Sequence, residues 1–256
     1  MTISPEILEE VEDGVRRIKE FLKTNGRRIR SRITKTRKGR SSIDQLKTFG
    51  VPIPEDFRAL YFNYNGAKMS DGLRDVERPV FFNFEWFEVR MLCSLNRILR
   101  LENTIQRPDT LFISNGALAE KLLLAPHLSR DGDTPLIVSL FPLSTKSFIA
   151  FDSTLAMLRS VCAAQDAGVL HFEDKELRFD AAEVWDVIRP FNQRSEYWPT
   201  LAKGPIEWDC IELDEEELSG IVKLHPETRR IINESFKNAV PRRHRRPKQQ
   251  VARHED

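Results

Sequence analysis

The segment from Gly50 to Gly66 constrains the fold of this chain more than any other part of the sequence. Gly50 can adopt the left-handed backbone conformation that ends a helix, and Pro52 favours extended backbone beside it. Pro54 suits the first residue of a new helix, because the amide at that position has no partner within the helix. The segment therefore predicts one short helix that ends at Gly50 and a second that begins at Pro54.

The second predicted helix has one apolar face. Glu55 and Asp56 place negative charge on its first turn, where the helix dipole favours it, and Asn65-Gly66 predicts its end. The side chains that recur at helical spacing are Phe57, Leu60, Tyr61 and Tyr64. We expect this face to lie in the core.

The composition is typical of a protein that folds around one core in water. Of 256 residues, 40% are hydrophobic and 31% are charged. No uncharged apolar run is long enough to span a bilayer, and Glu6, Glu9 and Glu10 stand where a signal peptide has its apolar block. The three cysteines are far apart and odd in number, which favours reduced thiols over disulfides or a zinc cluster. We therefore expect a cytoplasmic protein without a membrane segment.

Capping residues and apolar periodicity predict further helices. Their predicted starts are Ser4-Pro5, a Ser42-x-x-Gln45 capping box, Ser94, Thr154 and Asp180, and a last helix is predicted at 226–240. Asn25 should end the first of these helices, and Gly168 should end the one that begins at Thr154.

Apolar and aromatic segments between these helices predict strands. They are 81–89, 111–114, 136–141, 147–151, 169–172 and 176–179, with a helical or irregular stretch at 118–124. Short connections within the last two pairs indicate hairpins. We expect an α+β fold with a mainly antiparallel sheet of about five or six strands, N-terminal helices, and C-terminal helices packed on one face.

The chain divides by composition into four parts. They are an N-terminal helix with a basic connector (1–41), the main domain (42–202), an acidic segment with a helix (203–240) and a basic tail that we expect to be disordered (241–256).

A search for chemistry in the sequence yields no catalytic, cofactor-binding or metal-binding residue. Phosphate-cradling glycine loops, nucleophile elbows and His-Glu-x-x-His are absent, and the five histidines are isolated from cysteines and from one another. Arg130-Asp-Gly-Asp133 lacks the other ligands of a calcium loop. His171 and Glu173 share one face of a strand, which fits an acid–base pair or a surface pair, and we favour the latter. We interpret the aromatic residues Phe82, Phe84, Trp86 and Trp185 as core and not as the lining of a ligand pocket.

Concentrated charge is the better functional signal. An acidic run is a candidate partner-binding surface: Asp209, Glu212, Asp214, Glu215, Glu216 and Glu217. A basic tail is a weaker candidate for nucleic-acid binding or targeting: Arg242, Arg243, Arg245, Arg246 and Lys248. The basic arm at 27–40 contains no aromatic residue on which a base can stack, and we favour a solvated connector over a phosphate-contacting arm.

The order Ile53-Pro54-x-Asp56-Phe57-x-x-Leu60-Tyr61-x-x-x-Asn65-Gly66 resembles the N-terminal signature of the SUKH superfamily, also called the Smi-Knr type. Two central strands followed by an aspartate, here Asp152, and the aromatic passage at 185–198 extend the resemblance over about residues 43–199. The signature residues that it marks as structural are Ile53, Pro54, Asp56, Phe57, Leu60, Asn65, Gly66 and Asp152.

This resemblance implies a non-enzymatic protein-binding module. Bacterial SUKH members are largely immunity proteins that bind and neutralise toxin domains, many of them nucleases or deaminases, and fungal relatives act as signalling and cell-wall regulators. We therefore expect direct binding of a toxin domain, with the acidic run as the docking site, and no cofactor. The alternatives are a regulatory scaffold of the fungal kind and, less favoured, a nucleic-acid-associated accessory protein that uses the basic arm and tail.

Overall fold

The computed structural model describes residues 3–25, 33–35, 42–67, 79–105, 107–116, 120–141, 143–173 and 176–209. The helices are α1 (Pro5–Thr24), α2 (Glu55–Phe62), α3 (Val89–Leu101), α4 (Thr154–Asp166), α5 (Ala181–Ile188) and α6 (Tyr197–Leu201). Short 3-10 helices span Ser42–Phe49, Pro126–Leu128 and Arg189–Phe191. Among the described residues, no helix is both long and apolar enough to cross a membrane.

The strands form one main sheet and two separate pairs. They are β1 (Ile33–Lys35), β2 (Tyr64–Ala67), β3 (Leu111–Asn115), β4 (Lys121–Leu124), β5 (Leu136–Ser139), β6 (Ser147–Phe151), β7 (Leu170–Glu173) and β8 (Glu176–Phe179). The main sheet has the antiparallel order β3-β4-β5-β6, and β1-β2 and β7-β8 are antiparallel pairs. The expected α+β class is confirmed, with the strands divided among three sheets. Every residue of β5 is buried, so both faces of the main sheet are covered.

Local capping signals are confirmed where they were strongest. The Ser4 hydroxyl accepts a hydrogen bond from the Ile7 amide at the start of α1, and the Asp180 carboxylate accepts from the Ala182 and Glu183 amides at the start of α5. Gly168 follows α4 with φ +74°, as its predicted helix-ending role requires. The hairpins β5-β6 and β7-β8 also form as predicted.

The N-terminal helix belongs to the same core as the sheet domain. α1 packs against α2 and α4, and its buried side chains include Val11, Val15, Ile18 and Leu22. Part of the basic arm is also folded, since β1 pairs with β2 and Ile33 is buried. The interpretation of the whole arm as a solvated connector is therefore wrong at residues 33–35. The rest of the arm lies outside the described residues.

The strand predicted at 81–89 is not formed. Phe81 and Phe84 exchange backbone hydrogen bonds across a tight turn, N–H to O at 3.0 and 2.8 Å, and Phe82 has φ 55°. Phe82, Phe84 and Trp86 are nevertheless buried, as expected for core residues. The turn packs the Phe82 ring against Phe151 and Trp198, contacts that alternation along the sequence does not reveal.

Two neighbouring predictions are corrected as well. α3 begins at Val89 with Glu88 as its N-cap residue, so Ser94 lies inside the helix and does not cap it. The stretch predicted to be helical or irregular at 118–124 contains strand β4, which pairs with β3 and β5.

Side chains and loops supply part of the hydrogen bonding of both outer strands of the main sheet. The amide of Asn96, which is fully buried on α3, accepts from the Phe112 N–H at 2.9 Å and donates to the Phe112 carbonyl at 2.8 Å. On β6, the Ile149 carbonyl accepts from the Ser195 hydroxyl at 3.0 Å and the Glu196 N–H at 2.9 Å. At Phe112 and Ile149, these contacts satisfy backbone groups that a further strand would otherwise pair with.

The end of α2 differs from the prediction. α2 begins at Glu55, with Pro54 as an extended N-cap residue, and ends at Phe62. Asn65 and Gly66 do not stop the helix but lie in β2. Gly66 has φ +84°, and a Cβ there would lie 2.2 Å from the Phe87 carbonyl oxygen. The glycine is required because two backbone segments come into contact at this point.

Gly66→Ala should lower the free energy of unfolding by about 3 kcal/mol or more, because the new methyl group adds a clash to an unfavourable left-handed φ. Gly50→Ala is the matched control, since Gly50 has φ +71° with nothing within 4 Å of its Cβ position. It should cost only about 1–2 kcal/mol. Urea unfolding of both variants measures the difference, and equal losses would show that the approach to Phe87 contributes nothing.

Candidate functional site

The acidic run begins at a fixed point on the surface. The Ser144 hydroxyl, in the turn between β5 and β6, donates to Asp209 Oδ1 at 2.7 Å, and the Lys146 ammonium lies 3.9 Å from the same oxygen. The bond from Ser144 is the main reason that the pKa of Asp209 is lowered, with Lys146 contributing. Asp209 is therefore an ionised, exposed carboxylate held at this turn. The other residues of the run, Glu212, Asp214, Glu215, Glu216 and Glu217, lie outside the described residues.

The chain reaches Asp209 through a surface segment that is neither helix nor strand. Burial alternates from residue 204 to residue 209: Ile206 and Trp208 are half-buried, whereas Glu207 and Asp209 are exposed. The Trp208 ring contacts Phe148 of β6 edge-on, with centroids 5.4 Å apart. The segment thus turns its apolar side chains inward and its carboxylates outward.

An exposed apolar side chain lies beside the held aspartate. Leu143 immediately precedes Ser144 and is 39% exposed; within the described ranges, the other large hydrophobic residue exposed to this degree is Leu128. We call Leu143, Ser144, Lys146, Trp208 and Asp209 the turn surface. It combines an exposed apolar side chain with polar and charged groups of both signs, which is the usual arrangement of a protein-binding site with a polar rim.

Asp56 of the signature has a structural role. It is 9% exposed, its Oδ2 accepts from the Leu155 N–H at 3.0 Å, and its Oδ1 accepts from the Phe57 N–H at 2.7 Å. Together with the Ser153 hydroxyl, which accepts from the Ala156 N–H at 3.1 Å, it satisfies the first turn of α4. Burial raises the pKa of Asp56, and hydrogen bonds from the Leu155, Phe57 and Thr154 backbone amides oppose that rise in part.

The other signature residues also support the fold. Asp152 accepts two hydrogen bonds from the Arg194 N–H, at 3.1 and 3.3 Å, and so fastens the end of β6 to the segment before α6. Burial is the main cause of the raised pKa of Asp152. Phe57 and Leu60 are buried as expected, and the Tyr61 hydroxyl donates to the Phe87 carbonyl at 2.9 Å.

The residues weighed for catalysis do not come together. His171 and Glu173 are both exposed on β7, as a surface pair would be. Arg130 and Asp133 exchange backbone hydrogen bonds across a tight turn. A cavity between α2, Trp86 and Met157 measures about 10 Å³, which is room for about one water molecule. In the part of the chain that the structure describes, no group of three or more His, Cys, Asp or Glu side chains could hold a metal ion.

One polar cluster was not foreseen from the sequence. Arg107 binds Asp109 through two hydrogen bonds of 3.0 Å, and His127 Nδ1 lies 3.5 Å from the same carboxylate. Burial lowers the pKa of His127, so the imidazole is neutral near pH 7. The cluster joins the loop before β3 to the 3-10 helix after β4, and no short motif in the sequence indicates this contact.

The basic tail, with Arg242, Arg243, Arg245, Arg246 and Lys248, lies outside the described residues.

This chain was compared with protein-family models and with curated proteins, and it matches none of them. Functional inference therefore depends on the turn surface and on the sequence.

Asp56→Ala should lower the free energy of unfolding at pH 7 by about 2 kcal/mol, because it leaves the partly buried Leu155 N–H without its acceptor. The substitution should also change how the free energy of unfolding depends on pH. The pKa of Asp56 is raised above its ordinary 3.8, so the folded chain binds the proton more tightly and gains stability as the pH falls through the folded pKa towards 3.8. The loss caused by Asp56→Ala should therefore grow on acidification.

Ser153→Ala is the control for this measurement, since it removes a cap from the same helix without removing a titrating group. It should cost about 1 kcal/mol at every pH. Urea unfolding between pH 4 and pH 8 compares the two variants. If the loss of unfolding free energy in Asp56→Ala is independent of pH, the pKa of Asp56 is not raised in the folded chain.

Proposed function

We propose that this chain is a non-catalytic binding module of the SUKH type that acts in the cytoplasm and neutralises a toxin domain, such as a nuclease or deaminase, by direct binding. The observation that carries the proposal is the attachment of Asp209 to the turn between β5 and β6. Because of it, the first residue of the acidic run is held at a defined place beside an exposed leucine.

Charge complementarity supports this class of partner. A domain that acts on nucleic acid presents cationic side chains to the phosphate backbone. An acidic segment attracts such a surface at long range and raises the association rate. Binding there covers the groups that the toxin needs for its own substrate.

The turn surface supplies the short-range part of the interaction. Leu143 offers apolar area that is free to be buried, and Trp208 is half-buried beside β6. Apolar contacts at the centre of an interface contribute most of the affinity, while charges at the rim act mainly on rate and specificity. We therefore assign Leu143 to affinity and the acidic run to association.

The structural roles of the signature residues are consistent with the same proposal. The carboxylates of Asp56 and Asp152 accept hydrogen bonds from backbone amides, and the Tyr61 hydroxyl donates one to a backbone carbonyl. These polar groups hold the scaffold together, which leaves recognition to surface residues that differ from one binding module to another.

The test measures binding of the purified chain to the product of the neighbouring reading frame. Glu215, Glu216 and Glu217 changed together to Gln should slow association about tenfold at low salt, because three attractive charges are lost. Leu143→Ser should instead speed dissociation. Surface plasmon resonance at several salt concentrations separates the two rates.

A matched triple variant controls for net charge. Changing the exposed Glu9, Glu183 and Asp186 to their amides removes the same number of charges from α1 and α5 and should leave both rates unchanged. Absence of binding to the neighbouring product would refute the immunity function. Equal slowing by both triple variants would refute the acidic run as the docking site.

A further inference from the structure

Two buried side chains at the cavity beside α2 carry polar atoms that need a partner. Trp86 is 2% exposed, and Thr154, the first residue of α4, is fully buried. Within the part of the chain that the structure describes, neither the indole nitrogen Nε1 of Trp86 nor the hydroxyl oxygen Oγ1 of Thr154 has a hydrogen-bond partner. Buried polar groups in folded proteins are paired with protein atoms or with ordered water, so these two atoms point to a bound molecule.

The cavity has the size of one water molecule. Its volume is about 10 Å³, and both Trp86 and Thr154 line it. A space of this size accepts about one water molecule and excludes any organic ligand. Cavities that stay dry in proteins are apolar, whereas the lining of this one includes Tyr61, Ser114 and Thr154, each of which carries a hydroxyl group. The lining therefore suits water.

Tyr61 offers a third partner for a water molecule. Its hydroxyl donates its proton to the Phe87 carbonyl at 2.9 Å, which leaves the oxygen able to accept. The Trp86 indole lies edge-on to the Tyr61 ring, with centroids 6.2 Å apart. The indole opposes in part the rise in the pKa of Tyr61 that burial causes, but no hydrogen bond of ordinary geometry joins the two side chains. A water molecule can accept from the indole and donate to the hydroxyl, and so connect them.

The cavity lies where two parts of the fold meet. The Trp86 carbonyl accepts from the N–H of Ala67, the last residue of β2, at 2.7 Å. Thr154 directly precedes Leu155, whose N–H donates to the carboxylate of Asp56 on α2. A molecule between Trp86 and Thr154 thus connects the segment beside β2 to the first turn of α4.

We propose that this cavity binds one long-lived water molecule, which accepts a hydrogen bond from the Trp86 indole N–H, shares one with the Thr154 hydroxyl and donates one to Tyr61. About three hydrogen bonds are usual for a buried water molecule. The site supplies partners to both of the polar atoms for which the described residues provide none. It does not depend on the binding function proposed above.

Thr154→Val tests this site in the full chain, because valine keeps the branched shape of threonine and removes the hydroxyl group. Oxygen-17 magnetic relaxation dispersion counts long-lived water molecules, and its amplitude should fall by about one water molecule. The melting temperature should fall by about 3 °C, because the Trp86 N–H loses its acceptor. In a dry cavity, the same substitution would remove an unpaired buried hydroxyl, so the dispersion would stay the same and the melting temperature would rise.

Thr110→Val is the matched control. Thr110 is 1% exposed, its hydroxyl donates to the Arg107 carbonyl at 2.7 Å, and it does not line the cavity. This variant should lower the melting temperature and leave the dispersion amplitude unchanged. Either an unchanged amplitude or a higher melting temperature in Thr154→Val would overturn the proposal.

If Thr154→Val does not fold, the indole proton of Trp86 in the wild type decides. In nuclear magnetic resonance spectra, this proton should show cross-relaxation with water, of the sign that a long-lived water molecule gives. A direct hydrogen bond from the indole to Tyr61 would leave no such signal, and its absence would refute the water site.

Discussion

The hydrogen bond from the Leu155 amide to the carboxylate of Asp56 is the contact on which the architecture depends. It crosses 99 positions of sequence and joins the first turn of α2 to the first turn of α4, directly after the main sheet ends. A helix start leaves amide groups unpaired, and a carboxylate there is also favoured by the helix dipole. Placing Asp56 at that point fixes α2, and with it Phe57 and Leu60, in the core.

The aromatic core is organised by a turn rather than by a strand. The reversal at Phe81–Phe84 directs the Phe82 ring towards Phe151 of β6, Phe179 of β8 and Trp198 of α6. The main sheet, the β7-β8 pair and α6 therefore meet at one side chain. Dense packing of this kind explains why a residue other than glycine tolerates a φ of 55° there.

The sequence predicted elements whose signals lie within a few residues of one another. The Ser4 and Asp180 caps and the β5-β6 hairpin are examples, because neighbouring residues alone determine them. Prediction from the sequence failed where contacts between residues far apart in the chain determine the local structure. Alternating aromatic residues at 81–89 fit a strand equally well until the contacts of Phe82 are known, and the Asn65-Gly66 pair has the composition of a turn although Gly66 serves the approach of Phe87.

In the candidate site, too, local sequence features were predictable and contacts between distant residues were not. Composition was sufficient to single out the acidic run, because clustered charge is visible in the sequence. The attachment of Asp209 to Ser144 and the exposure of Leu143 depend on how residues 65 positions apart come together, which no local pattern contains.

The occupied edges of the main sheet have a consequence for assembly. Asn96 engages both backbone groups of Phe112 on β3, and Ser195 and Glu196 engage Ile149 on β6. An extended strand from another molecule would have to displace these bonds before it could add to the sheet. At these two positions, the main sheet thereby resists edge-to-edge pairing with another molecule.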